Sequence, residues 1–265
     1  MSWLHCAADI PRPKRPLGRG QLTEPVSGLT VDGLLAPRRG AGFCRICFNL
    51  IGADCMHCRA CSTGENHLDV LAPVSYSVSG SGLHREIAAY KRDAEPFVRH
   101  AVSDLAAILE RFLSAHELCV GAGEPFHLVT TVPSSDLRRD RYHQLRRIVA
   151  ELVPAVSARH RRLLVPSGVA SKPRCFDRDR YQAVESLAGR RVLLIDDMWT
   201  TGTSAQSAAA VLRAAGASYV AAVVIGRHLN RDYADNHVRV ACMEGAFSWD
   251  RCVLCQEVPT TQRSP

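Results

Sequence analysis

A short apolar run that ends in two acids and a loop of small hydroxyl residues constrains this chain most. Residues 192–195 are apolar and rich in branched side chains, with charged residues on both sides, which is typical of a buried strand in a parallel sheet. Asp196 and Asp197 stand at its carboxyl end, and the alanine-rich segment 205–215 favours a helix. The order of strand, polar loop and helix predicts an α/β protein with a ligand site at this loop.

The loop after the acid pair has the composition of an anion site, and it consists of Thr200, Thr201, Gly202, Thr203 and Ser204. The first backbone N–H groups of the next helix have no intrahelical partner, so they can bind a phosphate. The hydroxyl groups add donors, and the glycine lets the backbone approach closely. Carboxylates beside a phosphate suit vicinal sugar hydroxyls or a divalent cation. A Walker-type loop is excluded, because no lysine follows the glycine.

A second strand is predicted over residues 126–132, and it runs into Pro133, Ser134 and Ser135. Small hydroxyl residues directly after a central strand predict another phosphate-facing loop. A basic helix is predicted to follow over residues 137–152. Because strands and helices alternate along this part of the chain, the sequence predicts a parallel sheet with right-handed crossovers and flanking helices.

A long basic segment without an apolar period lies between these two strands. Residues 166–181 include Lys172, Arg174 and Arg178. An irregular segment of this length inside a compact domain is often a functional lid. We therefore expect these side chains to close over a phosphate-rich ligand.

Cysteine spacing predicts a structural zinc site near the amino end. Cys44 and Cys47 form one C-x2-C pair, and Cys58 and Cys61 form a second, so that four thiolates fill a tetrahedral Zn²⁺ site and leave no open position. Cys55 offers an alternative C-x2-C with Cys58, but the longer spacing leaves more room for the turn between the pairs. The absence of a secretion signal favours metal binding over disulfides.

The tail carries one more C-x2-C pair, Cys252 and Cys255. This pair can complete a second metal site with Cys55 or Cys242, share the amino-terminal zinc, or bind no metal. The sequence leaves these alternatives open.

Composition limits the partners of the chain. The net charge of +7 and the pI of about 9.0 are consistent with nucleic acid and equally with a phosphate-rich substrate. No apolar run reaches the length of a membrane span, and the first residues do not open a signal peptide. We expect a cytoplasmic protein without a membrane partner.

The chain is expected to divide into four parts. Residues 1–41 are rich in proline, arginine and glycine, which predicts a basic, disordered or loosely packed arm. Residues 42–68 carry the zinc knuckles, residues 69–230 form the α/β domain, and residues 231–265 form a tail with a C-x2-C pair.

Residues 193–204 resemble the signature of the type I phosphoribosyltransferases. The resemblance implies that Asp196 and Asp197 hold the ribose hydroxyls of phosphoribosyl pyrophosphate, and that residues 200–204 hold its 5′-phosphate. Residues 133–135 resemble the pyrophosphate loop of that family, and residues 166–181 resemble its closing loop.

The zinc knuckles ahead of the α/β domain resemble the ComF-type branch of this family. That branch carries a short Leu-Lys-Tyr-like motif where this chain has Tyr90 and Lys91, so that the lysine either meets a phosphate or lies along the surface. A departure occurs at His143, where the branch has asparagine.

The resemblance implies an enzyme that binds phosphoribosyl pyrophosphate with Mg²⁺ and transfers ribose 5-phosphate to an unidentified nitrogen acceptor, with structural Zn²⁺ beside the active site. The alternative is a binding protein without turnover, either a sensor of phosphoribosyl pyrophosphate or a DNA-handling protein of the competence type. Contact with DNA and a homodimeric state both stay open.

Overall fold

The computed structural model describes residues 33–91, 97–172, 174–243 and 247–255. The strands are β1 (Val70–Val78), β2 (Leu128–Thr131), β3 (Leu164–Pro166), β4 (Tyr181–Ala183), β5 (Arg191–Trp199) and β6 (Tyr219–Leu229). The α-helices are α1 (Arg59–Thr63), α2 (Gly82–Ala89), α3 (Phe97–Val120), α4 (Leu137–Arg141), α5 (Gln144–Arg147), α6 (Pro154–Ser157), α7 (Thr203–Ala214) and α8 (Asn236–Ala241). A π-helical turn covers Ile148–Leu152, and a 3₁₀ turn covers Arg178–Arg180.

The centre of the fold is a four-stranded parallel sheet in the order β1-β6-β5-β2. Ile195 of β5 pairs with Thr131 of β2 on one side and with Val223 of β6 on the other. All strands of this sheet therefore end at one edge, which we call the carboxyl edge. Strands β3 and β4 form a separate antiparallel pair. The predicted fold class, a parallel sheet flanked by helices, is confirmed.

Both faces of the sheet are covered by helices, which explains the continuous apolar run in β5. Leu193 and Ile195 pack into the cluster on the α3 face, and Val192 and Leu194 pack into the cluster on the α7 face. All four side chains are fully buried, and each such burial contributes about 1.5–3 kcal/mol. Buried alanines of α7 bring that helix close to the sheet.

The predicted single basic helix over 137–152 is wrong, because α4 ends at Arg141 and a second helix starts at Gln144. Asp136 accepts hydrogen bonds from the backbone N–H groups of Arg138 and Arg139 and caps α4. His143 accepts one from the N–H of Arg146 through Nδ1 and caps α5. A capping residue has non-helical dihedrals, so the chain turns at each of these points.

Residues 34–36, which belong to the predicted arm of residues 1–41, are packed into the fold. Leu34, Leu35 and Ala36 are buried. Leu35 donates its N–H to Ser75 Oγ at 2.9 Å and accepts a hydrogen bond from the N–H of Tyr76 at 2.8 Å. The segment from residue 33 thus pairs with the exposed edge of β1, which an unpaired edge strand favours. Residues 1–32 lie outside the described part of the chain.

The tail beyond residue 230 is partly folded onto the sheet. Val240 and Met243 are buried in one cluster with Leu35, Tyr76 and Leu229. Within the described residues, the helices are all too short or too polar to cross a membrane.

Candidate functional site

The loops predicted to bind phosphate groups lie together at the carboxyl edge. The N–H of Val132, directly after β2, donates to the carbonyl oxygen of Ile195 at 3.0 Å. Residues 133–135 therefore start beside Asp196 and Asp197, and the loop of residues 200–204 follows within the same edge. Ligand sites of open α/β sheets occupy this position.

The two acids belong to the last residues of β5 rather than to the loop that follows it. Both side chains lie at the carboxyl end of β5. Asp197 lies towards Tyr90, which packs with α2 and α3, and the ammonium group of Lys91 acts on both carboxyl groups. Asp196 Oδ1 accepts a hydrogen bond from the N–H of Asp197 at 2.9 Å.

Two residues that directly follow α2 contact the side chain of Asp197. The hydroxyl of Tyr90 donates a hydrogen bond to Asp197 Oδ2, and Lys91 Nζ lies 2.8 Å from the same oxygen. Sequence reasoning left a phosphate contact or a surface position open for Lys91, and the structure shows an exposed side chain that also forms an ion pair with Asp197. No local pattern signals it, because α2 and β5 are far apart in the chain.

Burial makes both acids harder to ionise than an ordinary carboxyl. It raises the pKa of Asp196 to about 6, against the opposing pull of the Lys91 ammonium. It raises the pKa of Asp197 to about 7, against a hydrogen bond from the N–H of Met198. The pair therefore changes charge close to neutral pH, where a bound cation or donor favours the ionised forms.

The loop of residues 200–204 presents a helix start without a side-chain cap. Gly202 has φ +82° and stands at the N-cap of α7, where no side chain accepts from the first turn. The ring of Trp199 lies against Gly202, so a Cβ there would clash with it. The hydroxyl oxygens of Thr201 and Thr203 are 3.2 Å apart. Free N–H groups and clustered hydroxyls form an anion-binding cradle.

Arg227 holds this loop from behind, a role that the sequence did not predict. Its side chain is buried, although it stands near the carboxyl end of β6. The guanidinium donates to the carbonyl oxygens of Trp199 at 2.9 Å and Thr200 at 3.3 Å. It also donates to the carbonyl oxygen of Cys47 at 2.8 Å and to Cys47 Sγ at 3.5 Å. Arg227 thus joins the amino-terminal cysteines to the anion-binding loop.

The loop of residues 133–135 is fixed by a buried carboxylate. Asp140 Oδ1 accepts from the N–H of Ser134 at 3.2 Å. Asp140 Oδ2 accepts from Arg146 at 3.3 Å and from Arg162 at 2.6 Å. Pro133 is buried and Ser135 is exposed. The sequence did not single out Asp140, because a lone acid in a basic helix looks like a surface residue.

Arg180 holds the basic segment between β3 and β4 in place, and its side chain is buried. Its guanidinium donates to the carbonyl oxygens of Lys172 at 3.1 Å and Cys175 at 2.6 Å. The side chain of Arg178 pairs with Glu65 at 2.8 Å. The side chains of Lys172, Arg174 and Arg178 are exposed. This segment therefore packs against the zinc-knuckle segment.

The structure brings the predicted zinc ligands together. The sulfur atoms of Cys44, Cys47, Cys58 and Cys61 lie within 4.8 Å of one another. Cys47 Sγ and Cys58 Sγ are 3.5 Å apart, too far for a disulfide and close to the spacing of thiolates around Zn²⁺. Cys55 is exposed and lies outside this group. This four-cysteine set fits a closed tetrahedral zinc site.

Comparison with known proteins gives the family of the chain. A family model described as the phosphoribosyl transferase domain matches residues 92–254. A search of curated proteins found no match. The matched region begins just before α3, contains the whole carboxyl edge apart from the end of β1, and covers more than half of the chain. The chain therefore belongs to the phosphoribosyl transferase domain family.

Proposed function

We propose that this protein binds phosphoribosyl pyrophosphate with Mg²⁺ and transfers its ribose 5-phosphate group to a nitrogen acceptor. The observation that carries the proposal is the placement of Asp196 and Asp197 directly before an uncapped helix start at Gly202. Carboxylates accept hydrogen bonds from sugar hydroxyls, and the N–H groups at the helix start donate hydrogen bonds to the phosphate on the same sugar.

The ligand fits along the carboxyl edge in one direction. The hydroxyls and N–H groups of residues 200–204 bind the 5′-phosphate, with donors from Thr200, Thr201, Thr203 and Ser204 and close backbone approach at Gly202. Asp196 and Asp197 then orient the two ribose hydroxyls. The loop of Pro133, Ser134 and Ser135 lies on the far side of the acids and faces the pyrophosphate.

Transfer breaks the bond between C1′ and the pyrophosphate oxygen, and the electron pair leaves with that oxygen. Positive charge develops on the ribose ring, and the negative charge of Asp196 and Asp197 favours it. Lys172, Arg174 and Arg178 supply positive charge to the departing pyrophosphate when the basic segment closes. Closure also removes water, which would otherwise compete with the acceptor.

The residues present fit a hard divalent cation. Carboxylate oxygens are the protein ligands that Mg²⁺ prefers, and it commonly binds through one or two of them together with substrate phosphates. Asp196 and Asp197 would hold the ion together with the ligand, and the ion would supply charge neutralisation of the phosphate oxygens. Lys91 already occupies one oxygen of Asp197, so ligand binding displaces or shares this contact.

We place the protein in the ComF-like branch because the four-cysteine site supports the ligand loop through Arg227. In this proposal residues 42–68 form a zinc-knuckle segment beside the active site, and residues 69–230 form the transferase domain. The segment also borders a small pocket with Thr201 and Thr203.

Calorimetric titration with phosphoribosyl pyrophosphate and Mg²⁺ tests the proposal, followed by pyrophosphate release across nucleobases. We expect binding, base-dependent release, and loss of both in the double variant Asp196→Asn, Asp197→Asn. The exposed Asp232→Asn variant is the matched control and keeps both. Unchanged binding in a folded double variant would contradict the assignment of the site.

A second candidate is binding without turnover, in a sensor or a DNA-handling protein. The observation that favours DNA contact is the row of exposed arginines on α4, namely Arg138, Arg139 and Arg141. Binding of single-stranded DNA that weakens steeply with salt, together with ligand binding but no pyrophosphate release, would support this candidate.

A further inference from the structure

We propose that the chain holds a second zinc ion, between the carboxyl end of α3 and the tail. His116 and Cys119 come from α3, and Cys252 and Cys255 come from the segment 247–255. Their potential ligand atoms all lie within 4.8 Å of one another. Cys55 and Cys242, two of the partners that the sequence left open for the tail pair, are both exposed, and neither belongs to this group.

The separations agree with tetrahedral coordination. Zinc–sulfur bonds of about 2.3 Å and a zinc–nitrogen bond of about 2.0 Å place neighbouring ligand atoms about 3.5–3.8 Å apart. Cys252 Sγ and Cys255 Sγ are 3.5 Å apart. His116 Nδ1 lies 3.9 Å from Cys119 Sγ and 3.8 Å from Cys255 Sγ. The four atoms thus surround a space of the size that Zn²⁺ fills, and none of the sulfur pairs in this group is bonded as a disulfide.

The histidine ring is already oriented for metal binding. His116 Nε2 lies 2.9 Å from the carbonyl oxygen of Trp249. A carbonyl oxygen only accepts, so Nε2 carries the hydrogen, and Nδ1 of the neutral ring directs its lone pair at the three sulfur atoms. Metal-bound histidines are commonly held in this way by a backbone carbonyl group. Cys255 Sγ also accepts a hydrogen bond from the N–H of Cys252 at 3.1 Å.

The site is structural, because it lies at the opposite edge of the sheet from the acids. Tyr219, the first residue of β6, donates its hydroxyl to the carbonyl oxygen of Val120 at 3.1 Å. Arg191, the first residue of β5, donates to the carbonyl oxygen of Gly121. The end of α3 therefore meets the amino ends of the strands. One nitrogen and three sulfurs also complete a tetrahedron and leave no position for a substrate.

The second zinc ion would fix residues 247–255 of the tail to the folded domain. Cys252 packs in the cluster on the α3 face, and Val253 packs in the cluster on the α7 face. The tail thus crosses the rim of the sheet at this point. Trp249 lies under the guanidinium of Arg111, with 4.8 Å between its ring centre and Cζ. These contacts bring both halves of the ligand set together, and the metal then fixes them.

Zinc content of the purified full-length protein tests the proposal. We expect two zinc ions per chain by elemental analysis. The variant Cys252→Ser with Cys255→Ser should hold one, and Cys242→Ser, which removes an exposed thiol outside both groups, should keep two. Binding of phosphoribosyl pyrophosphate should be the same in all three proteins. One zinc ion in the unaltered chain, or two in the double variant, would overturn the proposal.

A variant that keeps the metal covers the case in which the double variant fails to fold. His116→Cys replaces the nitrogen ligand by sulfur. Cobalt-substituted protein should keep two metal ions per chain. Its absorption should change, because the unaltered chain has one site of four sulfurs and one of three sulfurs and a nitrogen, whereas the variant has two sites of four sulfurs. An unchanged cobalt spectrum would show that His116 is not a ligand and would overturn the proposal.

Discussion

At the scale of single residues, position 202 in the loop of residues 200–204 cannot carry a side chain without strain. Its φ of +82° and the ring of Trp199 both oppose a Cβ. We expect Gly202→Ala to lower the free energy of unfolding by about 1–2 kcal/mol from the left-handed backbone alone, with a further cost from the clash with the ring. Urea denaturation measures the loss, and calorimetry should show weakened binding of phosphoribosyl pyrophosphate.

Gly80 is the matched control, because its φ of +79° is almost the same and a Cβ there meets nothing within 4 Å. Gly80→Ala should therefore show the backbone cost alone and leave ligand binding unchanged. Equal losses of stability in the two variants would argue against the contact between Gly202 and Trp199.

The acid pair predicts opposite pH dependences for the stability of the fold and for ligand binding. The pKa values of about 6 for Asp196 and about 7 for Asp197 lie above that of an unfolded carboxyl group. The folded protein therefore binds more protons between about pH 4 and pH 7, so its stability falls as the pH rises through this range. Ligand binding favours the ionised acids, and affinity should rise over the same range by up to about tenfold per pH unit for each proton released.

Thermal unfolding and calorimetry across this pH range check both signs. In Asp196→Asn with Asp197→Asn, the fall in stability with rising pH should flatten. A double variant with the same slope of stability against pH would place the titrating groups elsewhere.

At the scale of the element, a single buried acid organises the turn between β2 and α5. Asp140 holds the N–H of Ser134 and pairs with Arg146 and Arg162. Asp140 is buried, whereas Arg146 is half-buried and Arg162 is exposed. We expect Asp140→Asn to lower the free energy of unfolding by about 1–3 kcal/mol, the cost of losing charge-assisted hydrogen bonds. Pyrophosphate binding, measured by calorimetry, should weaken as residues 133–135 lose their support.

Asp136→Asn provides the comparison within the same turn. Asp136 caps α4 and is exposed, and asparagine is as good a cap as aspartate. The free energy of unfolding of the Asp136→Asn variant should therefore stay within about 0.5 kcal/mol of that of the unaltered protein. If both substitutions proved equally mild, Asp140 would not support the loop.

At the scale of the whole molecule, the two cysteine groups should act on different parts of the fold. Cys47→Ser removes a proposed zinc ligand and the Sγ contact of Arg227, whose backbone carbonyl partners remain, at a cost of about 1.5–3 kcal/mol. At about 2–4 °C per kcal/mol for a chain of this size, Tm should fall by about 3–12 °C, and phosphoribosyl pyrophosphate affinity should fall with it. Differential scanning calorimetry and ligand titration measure the two effects.

Two further variants separate these effects. Cys55→Ser alters an exposed thiol outside the group and should change neither Tm nor affinity. Cys252→Ser should lower Tm but leave affinity unchanged, because its group lies at the amino edge of the sheet. Loss of Tm without loss of affinity in Cys47→Ser would break the proposed link through Arg227.

The sequence by itself determined the features that are local in the chain. The apolar run before Asp196, the alanine-rich helix and the C-x2-C pairs are patterns within a few residues, so their chemistry could be inferred directly. Local patterns also predicted the parallel sheet, because strands and helices alternate. They failed at 137–152, where His143 offers a cap that helical periodicity does not show.

Only the tertiary structure decided which distant groups meet. Arg227 binds Cys47 across 180 positions, and His116 approaches Cys255 across 139. Lys91 reaches Asp197 from another element of the fold. Each contact depends on how the helices pack on the two faces of the sheet, and packing leaves no periodic trace in the residues concerned. The physical reason is that the spacing of two residues in the sequence limits their distance only when a short loop joins them. For residues far apart in the chain, the packing of the folded core fixes that distance.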